Sequence, residues 1–88
     1  MSVETRKVVM YTTRSCPFCL RAKALLHQKG VIYDEIKVDF SREQRQEMAQ
    51  RARGYSVPQI WIGDNHIGGC DELFVLEREG KLDNLLTF

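Results

Sequence analysis

The sequence has little of anything that would commit the chain to a membrane, a nucleic acid or a crosslinked scaffold. No apolar run approaches the about 20 residues that span a bilayer. The opening MSVETRKVVMY sets Glu4, Arg6 and Lys7 ahead of only four apolar residues, too few for the apolar part of a secretory signal, so a cytoplasmic location is expected. Charge of one sign is also lacking: 13 Lys and Arg stand against 12 Asp and Glu, a formal net charge of +1, and no strong field draws nucleic acid or a membrane surface. Cysteine is scarce, and the three present are an odd number that cannot all pair internally. In a reducing compartment permanent disulfides are rare, which leaves redox or metal chemistry as the better use for them. Repeats, low-complexity tracts and Pro/Gly/Ser-rich linkers are absent, so one domain over residues 1–88 is expected. A chain of this length buries roughly 60 to 65% of its unfolded surface and builds one core.

What is there changes period repeatedly. Lys7 to Tyr11, KVVMY, reads as a buried strand and the polar TTRS after it as a loop. From Pro17 to Lys29 the pattern is helical, with Cys19, Ala22, Leu25 and Leu26 at three- and four-residue steps and Gly30 as the left-handed stop. Val31 to Val38 reads as a second strand of imperfect alternation. Ser41 and Gln44 form an S-x-x-Q cap for a second helix, polar almost all round, that Gly54 closes. Gln59 to Ile62 reads as a strand, Gly63 to Asn65 as a hairpin turn, and His66 to Ile67 as the short partner strand. A third helix is expected from Cys70 or Asp71 to Glu79, with Leu73, Leu76 and Phe74 inward and Gly80 at its end. The order βαβ, then α, then ββα, with a right-handed crossover and a tight hairpin, requires a four-stranded mixed sheet flanked by helices, a small thioredoxin-like α/β architecture.

The segment RSCPFCLRAK carries the chemistry. Cys16 falls where the loop meets the helix, with Pro17 at the first helical position, where its missing N–H is harmless. Unpaired N–H groups and the positive end of the helix dipole stabilise an anion there, and Arg14 and Lys23 are candidates to add positive potential. Thiols so placed ionise at roughly pH 3.5 to 7.5, against about 8.5 for a free thiol, so Cys16 is expected as the thiolate at neutral pH. Cys19, one turn later, is placed to attack a mixed disulfide on Cys16. Zinc is the competing use, but the C-x-x-C pair is joined only by Cys70, His27 and His66, at no recognisable ligand spacing.

Two further stretches could complete a site. In YSVPQIWIG, Pro58 marks either a strand entry or a bend with a cis peptide. A cis bend would leave the Val57 N–H and C=O free to pair with an extended peptide-like thiol. In IGGCDEL, Gly68 and Gly69 permit close backbone approach, and the N–H groups of Cys70 and Asp71 would bind a carboxylate. Asp71 could cap its helix or accept from an ammonium. Cys70 reads as a buried small hydrophobe or as an exposed thiol, and the first is the commoner role.

At these residues the chain resembles the glutaredoxins over nearly its whole length, and looks most like the bacterial dithiol type known as glutaredoxin 3. CPFC stands for the usual C-P-Y-C, SVP for T-V-P, and GGCDEL for G-G-x-D-D-L, in matching order and separation. The resemblance implies a thioredoxin fold and a glutathione-dependent oxidoreductase that reduces protein disulfides and glutathione mixed disulfides. It implies Cys16 as nucleophile, Cys19 as resolving thiol, Val57 as the backbone clamp on the glutathione cysteine and Pro58 as a cis proline. Gly69, Cys70 and Asp71 would take the γ-glutamyl end, and Arg45 on the second helix the glycine carboxylate. Arg42, Arg51 and Arg53 lie near Arg45, and a solvated basic face is the plainer reading of all four. Two positions depart from the family pattern. Phe18 replaces the usual Tyr and loses its hydroxyl donor, and Thr13 stands where Lys is usual, with Arg14 the neighbour placed to supply the charge.

The implied partners are glutathione and disulfide-containing or glutathionylated proteins, ribonucleotide reductase being one candidate client; a monomer with no metal is expected. A different class of reading is a 2Fe-2S cluster carrier in which two chains and two glutathiones share the cluster through Cys16. Pro17 argues against it by stiffening the helix start, and a stable chromophore after anaerobic reconstitution would favour it. A thioredoxin lacks support because WCGPC is absent.

Overall fold

The computed structural model of the chain describes residues 6–87. Its elements are β1 (Val8–Thr12), α1 (Pro17–Gln28), β2 (Tyr33–Lys37), a 3₁₀ turn (Val38–Phe40), α2 (Arg42–Ala52), β3 (Gln59–Ile62), β4 (Asn65–Gly68), α3 (Cys70–Arg78) and α4 (Leu82–Leu86). The sheet runs β2-β1-β3-β4. β1 is parallel to β2, with Val8 opposite Tyr33, and antiparallel to β3, which pairs antiparallel with β4. This is the four-stranded mixed sheet and βαβ–α–ββα order expected of a thioredoxin fold.

Strand alternation divides the core between two sheet faces. Val8, Met10, Ile60 and Ile62 point to one face, where Ala22, Leu25 and Leu26 of α1, Leu73 of α3 and Leu82 and Leu86 of α4 cover them. Tyr11 and Trp61 point to the other, where Val38 and Met48 complete a smaller cluster. α2 offers little apolar surface to that face. Arg51 compensates: its guanidinium lies 4.5 Å over the Trp61 ring and donates to the Tyr11 hydroxyl at 2.9 Å. Arg51 is therefore an exposed residue that also joins helix to sheet.

Several boundaries differ from the expectation. The second strand is shorter, because Val31 and Val38 are buried outside it while Ile32 is 88% exposed. Ser41 Oγ does accept the Gln44 N–H, at 3.2 Å, but the left-handed residue that ends α2 is Arg53 (φ 57°, ψ 40°) and not Gly54. Gly54 contributes its N–H, which bonds the Ala49 carbonyl at 3.1 Å. α4 was not anticipated. Leu82, Leu85 and Leu86 follow Gly80 at helical spacing, and Leu82 and Leu86 enter the core.

Candidate active site

Cys16 is the N-cap of α1, extended at φ −92° and ψ 113°, and its Sγ accepts the Cys19 N–H at 3.3 Å. The sequence folds this way because Pro17 supplies helical φ at the first position and needs no N–H partner. A helix-start N–H aimed at sulfur favours negative charge on it. The same sulfur lies 3.6 Å from the Val57 carbonyl, to which the protonated thiol donates. Loss of that proton removes the donor and frees the carbonyl.

Cys19 sits in the opposite environment. It is 1% exposed, and burial foremost, with its hydrogen bond to and charge repulsion from Cys16, pushes its thiol up to about 12 against a smaller lowering by the Thr13 backbone and Lys23. All three cysteines are free thiols. Burial likewise raises the Cys70 thiol, whose residue is only 4% exposed.

Beside Cys16 lies an open pocket of about 180 Å³ lined by Phe18, Ser56, Val57, Pro58, Gly69, Cys70, Asp71 and Glu72. Val57–Pro58 is cis. Among the described residues the Val57 N–H has no partner, and neither have the N–H groups of Cys70 and Asp71 at the start of α3. Gly69 allows the two walls to meet, since a Cβ there would stand 3.3 Å from the Pro58 carbonyl oxygen. Its N–H bonds Glu72 Oε1 at 2.7 Å, so Glu72 and not Asp71 reaches back to cap α3.

The structure thus gathers Phe18, Val57, Pro58, Gly69, Cys70 and Asp71 around one pocket. It places the basic candidates elsewhere. The Arg14 guanidinium lies 4.7 Å over the Phe40 ring and 3.6 Å from Asp39, and its backbone N–H also bonds Asp39. Arg45 donates to the Tyr55 carbonyl at 3.4 Å and lines a separate depression with Arg42, Gln46 and Tyr55. Thr13 is half-buried behind Cys19. Lys23 pairs with Glu35, which raises its ammonium, and its nearest thiol effect is on Cys19. Burial pushes the Glu35 carboxyl up, but Lys23 and the Thr12 hydroxyl, at 2.6 Å, outweigh it and hold the group below its usual range. Ser56 and Glu72 are wall residues that the motifs did not reveal, although Glu72 stands at the third helical position, where a capping acid is common.

Such an arrangement suits disulfide exchange: a part-exposed sulfur that accepts a helix-start N–H, a second, buried thiol within reach, and free backbone donors along the neighbouring pocket. Comparison with known proteins agrees. The glutaredoxin family model matches residues 8–67. A glutaredoxin of Pseudomonas aeruginosa is 58% identical over 80 residues, covering 91% of this chain and 95% of that protein. Glutaredoxin 3 of Escherichia coli is 49% identical over 79 residues, covering 90% and 95%. Among solved structures, glutaredoxin from Brucella melitensis superposes with a TM-score of 0.85 at 49% identity, over 96% of this chain and 91% of that one. A buckwheat glutaredoxin–glutathione complex gives a TM-score of 0.83 at 33% identity, over 90% and 74%.

Proposed function

Because this chain belongs to the glutaredoxin family of thiol-disulfide oxidoreductases, we propose that it reduces glutathione mixed disulfides and protein disulfides at Cys16 and draws its electrons from glutathione. The observation that carries this reading is the pairing of the Cys16 sulfur, 3.3 Å from a helix-start N–H, with a pocket whose walls offer the unpartnered N–H groups of Val57, Cys70 and Asp71.

Cys16 Sγ, as the thiolate, attacks the glutathione sulfur of a mixed disulfide. The client sulfur leaves with the bonding pair and takes a proton from water, and Cys16 is left disulfide-bonded to glutathione. A second glutathione thiolate then attacks that glutathione sulfur, releasing glutathione disulfide and the Cys16 thiolate. For a protein disulfide the mixed disulfide forms on Cys16 and Cys19 resolves it: Cys19 gives up its proton, attacks Cys16 Sγ, and the client thiol departs. The cysteinyl backbone of glutathione pairs with Val57, its γ-glutamyl carboxylate with the Cys70 and Asp71 N–H groups, and its ammonium with the Asp71 carboxylate. That a buckwheat relative is solved as a glutathione complex supports glutathione as the ligand. Arg45, which donates to the Tyr55 carbonyl, and Arg14, which pairs with Asp39, are secondary candidates for the glycine carboxylate and for added positive charge. We further propose that the chain works as a single-domain monomer in the cytoplasm, with ribonucleotide reductase among its candidate clients.

Cys16→Ser is expected to abolish turnover of a glutathionylated peptide. Cys19→Ser is expected to keep that turnover and lose reduction of protein disulfides that need both thiols. Full activity in Cys16→Ser would remove the assignment.

A further inference from the structure

Gln59, the first residue of β3, is a side-chain amide only 6% exposed, and both of its ends are bonded. Nε2 lies 3.0 Å from the Ser56 carbonyl and 3.1 Å from Ser56 Oγ, while Oε1 lies 2.7 Å from His66 Nε2. A carbonyl only accepts, so the end facing Ser56 must be the NH2 group and the end facing His66 the oxygen. This assigns the proton to His66 Nε2, which donates to Gln59. The His66 ring stacks on Trp61, with centroids 4.5 Å apart and planes 26° from parallel, and the Arg51 guanidinium also lies over the Trp61 ring, at 4.5 Å. The amide therefore connects a fixed ring on β4 to the backbone at Ser56.

That end of the connection matters for the site. Ser56 and Val57 both line the pocket, and the Val57 carbonyl lies 3.6 Å from Cys16 Sγ while its N–H stands free for a ligand. We propose that Gln59, braced by His66, is a positioning residue. It sets the Ser56–Val57 backbone against Cys16 and so governs how tightly the cysteinyl part of a glutathione mixed disulfide is held. The inference rests on the glutathione reading above and adds two residues to it. Its physical basis is that a buried amide deprived of one partner leaves unpaired groups on both sides, and the loop is then free to turn away.

Two variants test it. Gln59→Leu keeps comparable bulk and removes donor and acceptor together, and His66→Phe keeps a ring to stack on Trp61 and removes the N–H. Gln59→Leu is expected to raise KM for a glutathionylated peptide about tenfold, as loss of roughly one to two hydrogen bonds implies. His66→Phe should give a smaller rise, and the double variant should be no worse than Gln59→Leu alone. Cys19 and Cys70 should stay as closed to iodoacetamide as in the wild type, which a general loss of structure would not allow. The NMR amide resonance of Val57 should move in both single variants. Should Gln59→Leu fail to fold, His66→Phe carries the same comparison. Wild-type turnover with an unmoved KM in the folded variants, or effects that multiply in the double variant, would overturn the brace alone. A wild-type protein inert towards the peptide would overturn the glutathione reading and this inference with it.

Discussion

Between Cys16 and Cys19 lie only Pro17 and Phe18, yet one sulfur accepts an N–H beside the Val57 carbonyl while the other is buried with its thiol pushed up to about 12. Reactivity towards a small alkylating reagent near neutral pH should divide accordingly, with Cys16 modified first and Cys19 and Cys70 labelled only on unfolding; peptide mapping of timed samples checks this. Arg14→Ala should change the Cys16 rate by less than about threefold, because its guanidinium is engaged with Asp39 and Phe40 at the surface. The Cys19 shift also has a sign. An unfolded thiol releases its proton near pH 8.5, the folded one only near 12, so between those values the unfolded state binds fewer protons and stability falls as pH rises. Below pH 8.5 this contribution is constant. Urea midpoints taken from pH 8 to 10 should decline more steeply in the wild type than in Cys19→Ala, and parallel lines would show that the buried thiol is not responsible.

Helices and strands were legible where composition and spacing pointed the same way. The α1 stripe of Cys19, Ala22, Leu25 and Leu26 is buried as the spacing requires, and β3 falls on Gln59–Ile62 as read. Ends were harder, because they are decided by which residue tolerates an unusual backbone and by what tertiary contacts allow. Gly54 suggested the stop of α2, but the left-handed conformation fell one residue earlier, on Arg53. An L-residue there costs roughly 1–2 kcal/mol, and glycine loses somewhat more chain entropy on folding. Arg53→Gly should therefore stabilise the protein by roughly 0.5–1 kcal/mol, measured as a rise in the urea midpoint at unchanged m-value; a lower midpoint would mean the Arg53 side chain contributes more than its backbone costs. α4 escaped notice because five residues give too short a period to separate from a loop, although Leu82 and Leu86 lie four apart.

At the level of the whole molecule, three distant segments meet at one pocket: the start of α1, the Val57–Pro58 loop and the start of α3. The C-x-x-C pair made Cys16 and Cys19 legible as redox candidates, and the resemblance to the glutaredoxins named Val57, Pro58, Gly69, Cys70 and Asp71 beside them. Arg14 and Arg45 were named by charge and position, and long flexible side chains go where partners are, here to Asp39, Phe40 and Tyr55. The Gln59–His66 contact could not be read from sequence at all, since it joins two strands through a register that only the fold defines. On the proposed function, the assembled pocket delivers glutathione to one sulfur out of three. Mass spectrometry of the Cys19→Ser protein after exposure to glutathione disulfide tests this directly. The account predicts a single added glutathione, mapped to Cys16 and removed by reduced glutathione; an adduct on Cys70, or none, would contradict it.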